Sequence, residues 1–314
     1  MAKNAVLLGS LLSLVFFLFT SCARSATFTL TNSCGYTVWP GILSGAGTAP
    51  LATTGFALSP GESRSLDVPT TWSGRLWGRT LCSTDSTGKF TCTTGDCGSG
   101  TVECSGSGAT PPATLAEFTL AGSGGMDFYD VSLVDGYNLP MLVVPQGGSG
   151  SNNNGSCSAT GCLVDLNGAC PSDLKVVLQS TDGVSEGVAC RSACEAFGSP
   201  QYCCSGAYGS PNTCTPSTYS QFFKNACPRA YSYAYDDATS TFTCTAANYI
   251  ITFCPSTTSQ KTTGENPEAA GVPLTNDTMV YLGGQQTSHA SSSLLNVSLA
   301  ALVAVLLLPL LFLY

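Results

Sequence analysis

The chain carries seventeen cysteines in 314 residues, and sixteen of them lie between Cys34 and Cys254. An even number of cysteines at this density is typical of a disulfide framework. Disulfides form and persist in oxidising compartments, such as the extracellular space. The cysteines therefore constrain the compartment of the protein and the way in which its fold is held together.

Residues 1–25 have the layout of a signal peptide, in which Lys3 precedes an apolar run over residues 6–19. The run is short for a membrane span, and Ala23 and Ser25 supply small residues at the cleavage-recognition positions. We predict cleavage before Ala26, which removes Cys22 and leaves an even number of cysteines. A retained membrane anchor is the alternative.

Residues 294–314 are almost wholly apolar, and no Lys or Arg follows them. A Ser/Thr-rich stalk over residues 256–293 precedes this tail. Small residues, a polar spacer and a terminal apolar tail are typical of a glycosylphosphatidylinositol (GPI) attachment signal. We predict attachment at Ser288, with Gly283 and Gly284 as alternatives. A retained transmembrane helix is the competing interpretation, although such a helix normally has a basic cytoplasmic flank.

The composition favours short strands joined by turns, because the chain has 34 Gly, 17 Pro and only 10% charged residues. Regular short strands with frequent turns predict a mainly β fold, either a sandwich or a barrel. The net charge of −8 argues against nucleic acid or anionic lipid as a partner. A neutral polysaccharide is compatible with this charge.

The single histidine, His289, lies in the tail, so the cysteine-rich part of the chain has none. This excludes Ser-His-Asp and Cys-His catalysis and histidine-based zinc sites from that part. A cysteine-only zinc site stays formally open, but the spacing of Cys190 and Cys194 is wrong for one. We expect no metal and no cofactor. Acid–base chemistry must then come from carboxylates.

Several segments predict individual elements. Residues 115–120 alternate, so that Ala116, Phe118 and Leu120 share one face of a strand. A hairpin is expected around residues 32–35, and a second at Asp135-Gly136. The remaining predictions are a turn at residues 59–62 followed by a strand over 63–68, strands over 75–81, 126–134, 241–244 and 249–253, an alternating tyrosine strand at Tyr231, Tyr233 and Tyr235, and a helix within 185–197. Asn154 and Asn276 lie in glycosylation sequons.

Several stretches of the chain resemble the thaumatin-like proteins of plants. They are residues 34–40 (CGYTVWP), 75–80 (RLWGRT), 94–98 (TGDCG), 111–118 (PPATLAEF), 127–141 (DFYDVSLVDGYNLPM), 201–204 (QYCC) and 248–255 (NYIITFCP). The resemblance covers residues 26–255. The tail lies outside the common domain and marks a lipid-anchored or membrane-tethered branch.

The resemblance implies a β-sandwich with two disulfide-rich loop lobes. The sandwich would use residues 26–79, 113–163 and 228–256. A loop lobe would cover residues 80–112 and a larger cystine-rich lobe residues 164–227, with a cleft between the sandwich and the larger lobe. The implied disulfides are Cys34–Cys254, Cys82–Cys92, Cys97–Cys104, Cys157–Cys244, Cys162–Cys227, Cys170–Cys190, Cys194–Cys203 and Cys204–Cys214.

The resemblance also implies an acidic cleft that matches the family's set of one arginine and four acids. Its members are Arg75, Glu117, Asp130, Asp135 and Asp236. Two carboxylates in different environments are what glycoside hydrolysis requires, one as acid and the other as nucleophile or base. The resemblance assigns Glu117 as the general acid and Asp135 as its partner.

Structural roles compete with each of these assignments. Asp135 precedes Gly136 and Asp236 precedes Asp237, so both acids have the sequence context of turn residues. Asp127 is an alternative to Asp130, and the whole set is also compatible with a purely structural ion network. The aromatic residues are candidates for either the sandwich core or a sugar-stacking platform; they are Trp39, Trp77, Tyr231, Tyr233 and Tyr235.

The resemblance implies a pathogenesis-related, antifungal defence protein that binds β-1,3-glucan or another cell-wall polysaccharide. One alternative is a weak endo-β-1,3-glucanase that uses Glu117 and Asp135. Another is a non-catalytic recognition module at the cell surface. We expect a monomer that is secreted to the apoplast or held on the extracellular face of the plasma membrane by its lipid anchor, with no nucleic-acid partner.

Overall fold

A computed structural model of the chain describes residues 25–149, 157–179, 183 and 185–256. Its strands are β1 (Ser25–Asn32), β2 (Trp39–Ser44), β3 (Ser63–Pro69), β4 (Ser73–Thr84), β5 (Phe90–Thr94), β6 (Leu115–Thr119), β7 (Asp127–Ser132), β8 (Met141–Gln146), β9 (Thr160–Cys162), β10 (Lys175–Gln179), β11 (Ser185–Cys190), β12 (Phe242–Cys244) and β13 (Asn248–Phe253). Its α-helices are α1 (Ala193–Phe197), α2 (Pro200–Cys203), α3 (Thr218–Ala226) and α4 (Asp237–Ser240).

Several predicted features lie outside the described residues. They are residues 1–24 of the leader, Asn154, residues 257–293 of the stalk with Asn276 and Ser288, and the apolar tail over 294–314. Within the part of the chain that is described, no helix has the length and apolar character needed to cross a bilayer.

Two sheets form the sandwich. One has the strand order β3-β1-β13-β8-β9, and the other has the order β12-β7-β6-β4-β2, with β5 paired to β4. β1 and β13 are parallel, and the other neighbouring strands are antiparallel. Phe28 of the first sheet packs against Phe118 of the second at 4.5 Å between ring centroids, and Tyr249 packs against Phe118 at 5.1 Å. The prediction of a mainly β, thaumatin-like sandwich is confirmed.

Strand alternation explains which residues form this core. In β1, Ala26, Phe28 and Leu30 are buried while the residues between them are more exposed. In β6, Ala116 and Phe118 are buried against the opposite sheet, as the sequence pattern predicted. The intervening side chain of Glu117 therefore lies on the outer face of the second sheet.

Both predicted hairpins are wrong, because each turn carries the chain from one sheet to the other. β1 belongs to the first sheet and β2 to the second, and β7 and β8 are separated in the same way. The turn at Asp135-Gly136 does exist: the Gly136 amide donates to the Leu133 carbonyl at 3.0 Å, and Gly136 has a φ of +86°. Turn residues favour a local reversal of the chain, but they do not specify which strand the chain pairs with next.

The tyrosine strand and the helix prediction also need correction. Tyr231 forms one isolated bridge with Ser132, and the segment after it is a turn that leads into α4. Residues 185–190 form β11, so the helix predicted within 185–197 is limited to α1. The longest α-helix in the described residues, α3, was not predicted. It begins with a capping box in which Ser217 and Ser220 bond each other's backbone amides.

The eight disulfides pair as the resemblance implied. The bond between Cys34 and Cys254 spans 220 residues and ties the two ends of the sandwich together. Most of the other bonds are local. Three of them lie within residues 170–214, which consist of the two-stranded sheet of β10 and β11, short helices and turns.

The segment after β5 covers one part of the outer face of the second sheet. Trp77 and Leu115 are buried there against Cys97 and Cys104. Arg79, which is fully buried, donates to the Val102 carbonyl at 2.6 Å and to the carbonyls of Trp39 and Pro40 at 3.0 Å. These contacts hold the covering segment in place, and the rest of the outer face stays open.

Candidate functional site

Three residues of the predicted acidic set lie side by side on this open face. Arg75 of β4 is opposite Glu117 of β6, and Glu117 is opposite Asp130 of β7. All three are half-buried. Directly opposed residues on neighbouring antiparallel strands have Cβ atoms about 4.5–5.5 Å apart. The register of the sheet therefore places one cation and two carboxyl groups in a row.

The row lies in a groove of about 440 Å³. The groove is lined by Leu43, Ser44, Gly45, Ala46, Ser73, Gly74, Arg75, Glu117, Phe118, Thr119, Phe128 and Asp130. All of these residues come from the second sheet or from the turn after β2. The expected cleft between the sandwich and the cystine-rich lobe differs from this groove, whose floor is the sheet itself.

The two carboxyl groups of the row are both shifted toward their neutral forms. Burial raises the pKa of Glu117, the charge of Arg75 lowers it, and the charge of Asp135 raises it again, with a net increase. Burial raises the pKa of Asp130 to about 8, with further contributions from Glu117 and Asp237. One carboxyl oxygen of Asp130, Oδ1, is buried and has no hydrogen-bond partner among the described residues. Asp130 therefore keeps its proton to higher pH than an ordinary aspartate, and in its neutral form it can donate a hydrogen bond.

We expect Asp130→Asn to flatten the pH dependence of stability. A carboxyl group whose pKa is raised in the folded state stabilises the fold fully below its unfolded pKa, near 4, and this contribution is lost as the pH rises through about 8. Relative to the variant, the parent should lose on the order of 5 kcal/mol of unfolding free energy between pH 4 and pH 8. Urea titrations at pH 4, 6 and 8 measure this difference.

The exposed acid Asp67 of β3 provides the matched control. Asp67→Asn should leave the shape of the pH dependence as it is in the parent. Parallel curves for the parent and Asp130→Asn would contradict the assignment of a raised pKa to Asp130.

Asp135 lies outside the groove, in the half-buried turn that follows β7. Its backbone carbonyl accepts a hydrogen bond from Ala113 at 3.0 Å, so the residue does have a turn role. Its charge nevertheless raises the pKa of Glu117, and it also raises the pKa of Glu195 on α1. The charge of Asp135 therefore acts on an acid of the sheet groove and on an acid of the cystine-rich lobe.

Asp236 is not brought to the groove. Its Oδ2 atom is 2.8 Å from Nζ of Lys224 and accepts hydrogen bonds from the amide and hydroxyl of Ser232, both at 3.0 Å. Thr239 donates to Oδ1 at 3.1 Å. These contacts attach helix α3 to the segment before β12, which is the structural role that competed with the cleft assignment.

Asp127, Trp77 and Trp39, which were further candidates for the site, have structural contacts instead. Asp127 is buried on the inner face of β7 and accepts hydrogen bonds from the Tyr249 hydroxyl at 3.0 Å and the Ala121 amide at 2.9 Å. Trp77 is fully buried and donates to the Gly95 carbonyl at 2.8 Å. Trp39 is half-buried beside Phe90. None of the three lines the groove.

Comparison with known proteins is consistent with this architecture. Residues 32–255 match the thaumatin family. The chain belongs to the thaumatin family. It is 61% identical over 238 residues to Thaumatin-like protein 1 of Arabidopsis thaliana. This alignment covers 74% of the chain and 86% of that relative.

Two further thaumatin-family relatives carry informative names. Pathogenesis-related protein 5 of Arabidopsis thaliana is 56% identical over 245 residues, with 78% of this chain and 97% of the relative covered. Glucan endo-1,3-beta-glucosidase of Prunus avium is 54% identical over 234 residues, with 74% of this chain and 92% of the relative covered. The protein is therefore a thaumatin-like member of a pathogenesis-related group.

Sequence reasoning missed Phe128 in the groove and two acids outside it, Asp237 and Glu195, that interact with the predicted acidic set. Phe128 lines it two residues before Asp130 on the same strand, so strand parity alone could have identified it. Asp237, rather than Asp236, is the acid whose charge acts on Asp130, and it accepts a hydrogen bond from the Tyr231 hydroxyl at 2.8 Å. Glu195 pairs with Arg191 at 3.6 Å. Within the described ranges, no three His, Cys, Asp or Glu side chains are arranged to hold a metal ion.

Proposed function

We propose that this protein is an extracellular defence protein whose sheet groove binds β-1,3-glucan. The observation that carries the proposal is the strand register that aligns Arg75, Glu117 and Asp130 along the floor of an open groove. Protonated Asp130 and cationic Arg75 supply hydrogen-bond donors, and Glu117 adds an acceptor when it is ionised. A neutral polyol such as a sugar uses donors and acceptors together.

The rest of the lining also fits a sugar. Phe128 offers an aromatic ring beside the acids, while Ser44, Ser73 and Thr119 place hydroxyl groups around it. An apolar ring surrounded by a few polar groups is a common arrangement in small-ligand sites. The groove is open along the sheet, so a polymer can enter it without threading through a closed tunnel.

The location is part of the proposal. Eight disulfides favour an oxidising compartment, and the predicted leader supplies the route to it. We propose secretion to the apoplast or retention on the outer face of the plasma membrane through a lipid anchor at Ser288. The name of the pathogenesis-related relative supports a defence role.

Retention on insoluble β-1,3-glucan tests the proposed function. The parent should be retained, and Phe128→Ala should weaken retention by about tenfold, because an aromatic anchor at the centre of an interface typically contributes more than 1 kcal/mol. Arg75→Gln should weaken it as well. Arg64→Gln is the matched control, since Arg64 is exposed on β3 of the other sheet and stacks on Phe56. A parent that is not retained, or a control that weakens retention as much as Arg75→Gln, would overturn the proposal.

Hydrolysis of the bound glucan is a second candidate function. It is favoured by the raised pKa of Glu117, because a carboxyl group that keeps its proton to higher pH than an ordinary glutamate is suited to act as a general acid. The name of the Prunus avium relative points to the same reaction. Release of reducing sugar by the parent separates this function from binding alone, and binding without release would leave a recognition module.

A further inference from the structure

We propose that the cystine-rich lobe carries a second carbohydrate subsite, formed by a ring cluster of Phe197, Tyr202 and Tyr219 and by a small polar pocket beside it. This subsite would bind the part of a glucan chain that extends beyond the sheet groove. The inference rests on the proposed glucan binding and adds the place where a longer chain is held.

The ring cluster is an exposed aromatic surface. Phe197 lies 5.2 Å from Tyr219 and 5.7 Å from Tyr202 between ring centroids, and the two tyrosines are 5.9 Å apart. Phe197 is 43% exposed, although it is an aromatic residue of the kind that normally enters a core. The three rings support one another on helices α1, α2 and α3, so they present a stable apolar platform.

The pocket beside the cluster is small and uncharged. Its volume is about 30 Å³, which is enough for a water-sized group such as a sugar hydroxymethyl rather than for a whole ring. None of its lining residues is charged, and most carry a hydroxyl, an amide or a sulfur atom. An ionic ligand would find no counter-charge in this lining, whereas a neutral polyol is compatible with it.

Four polar side chains at the pocket have no partner within the described residues. They are the amide of Gln201 and the hydroxyls of Tyr202, Thr215 and Tyr233. The other hydroxyls there are already used: Ser217 and Ser220 cap α3, and Ser232 donates to Asp236. The four remaining groups can donate to and accept from sugar hydroxyls without breaking an existing hydrogen bond.

The pocket is linked to the acidic residues through its own lining. Val134 lines the pocket and immediately precedes Asp135, whose charge acts on Glu117 of the groove. Ser192 also lines it and caps α1 by accepting a hydrogen bond from the Glu195 amide at 3.2 Å. The turn after β7 thus joins the pocket to a residue whose charge reaches Glu117, and we take one continuous polysaccharide as the common ligand of groove and pocket.

A length series of β-1,3-linked glucose oligomers tests this subsite. The full-length protein is titrated with oligomers of increasing length, and the parent's affinity should keep rising beyond the length that fills the groove. Phe197→Ala should weaken binding of the long oligomers by about fivefold to tenfold. Phe197→Ala should not change the affinity for the shortest oligomer that binds to the parent. Tyr208→Ala is the matched control, because Tyr208 is 39% exposed on the same lobe and belongs to neither the cluster nor the pocket.

A second variant keeps the test independent of folding. Thr215→Val removes one exposed hydroxyl and preserves the shape of the side chain. It should weaken the binding of long oligomers by about threefold or more. Equal affinities of parent and both variants for long oligomers would overturn the subsite and leave the groove proposal intact. A parent that binds no oligomer of any length would overturn the proposed function and the subsite with it.

Discussion

Glu117→Gln should lower the rate of reducing-sugar release from soluble β-1,3-glucan by about 10²–10⁴-fold, while binding is kept. Glutamine has nearly the same shape as glutamate, but it cannot deliver a proton to the leaving oxygen of the glycosidic bond. The raised pKa of Glu117 fits the role of general acid, which the family resemblance assigns to this residue. The rate of release under saturating substrate measures the loss, and retention on insoluble glucan checks binding. Glu186→Gln, an exposed acid on β11, should release sugar at the parental rate.

The pH profile of release provides a sharper form of this test. A general acid loses activity as the pH rises through its pKa, so the alkaline limb of the profile should lie above the ordinary range of a glutamate. The charge of Asp135 contributes to the raised pKa of Glu117, and Asp135→Asn should therefore move this limb to lower pH. If Asp135→Asn leaves the alkaline limb where it is in the parent, the limb reports the titration of a group other than Glu117. A parent that releases no sugar would remove hydrolysis and leave glucan binding as the function.

The assignment of Glu117 shows how far the sequence could lead. The alternation over residues 115–120 was sufficient to place Glu117 opposite the core-facing side chains, and the structure shows that orientation. Alternation cannot reveal register, however, because register depends on pairing between strands that are distant in sequence. The alignment of Arg75 with Glu117, which are 42 positions apart in the sequence, became visible only in the folded sheet.

The predictions that were wrong, the hairpin at Gly136 and the cleft position of Asp236, also failed because they depend on tertiary contacts. Gly136 predicted a turn correctly, but the chain continues into the opposite sheet, and no local residue encodes that choice. Asp236 and Asp237 are adjacent in sequence, yet one is held by Lys224 while the charge of the other acts on Asp130. The separation arises because α4 begins at this point and turns the two side chains to different surroundings. Family resemblance carried over a set of positions, whereas the contacts of each carboxylate depend on its own tertiary neighbours.

Replacing Cys34 and Cys254 together with alanine should lower the free energy of unfolding by about 5 kcal/mol. The bond closes a loop with a sequence separation of 220, and in the chain-entropy model the stabilisation increases with the logarithm of loop length. Guanidinium titration of the double variant against the parent measures the loss. The same variant tests whether the ends of the sandwich stay paired when the parallel strands β1 and β13 are held by hydrogen bonds alone.

The bond between Cys82 and Cys92 is the matched comparison, because it has a sequence separation of only 10 and joins directly opposed residues of β4 and β5. Its removal should cost about 3 kcal/mol on the same model. The dependence of the unfolding free energy on denaturant should also steepen more for the Cys34 and Cys254 variant, because cutting the long loop lets the unfolded chain expand and expose more surface. Equal losses and equal slopes for the two variants would mean that local packing, rather than closure of the long loop, sets the contribution of each bond.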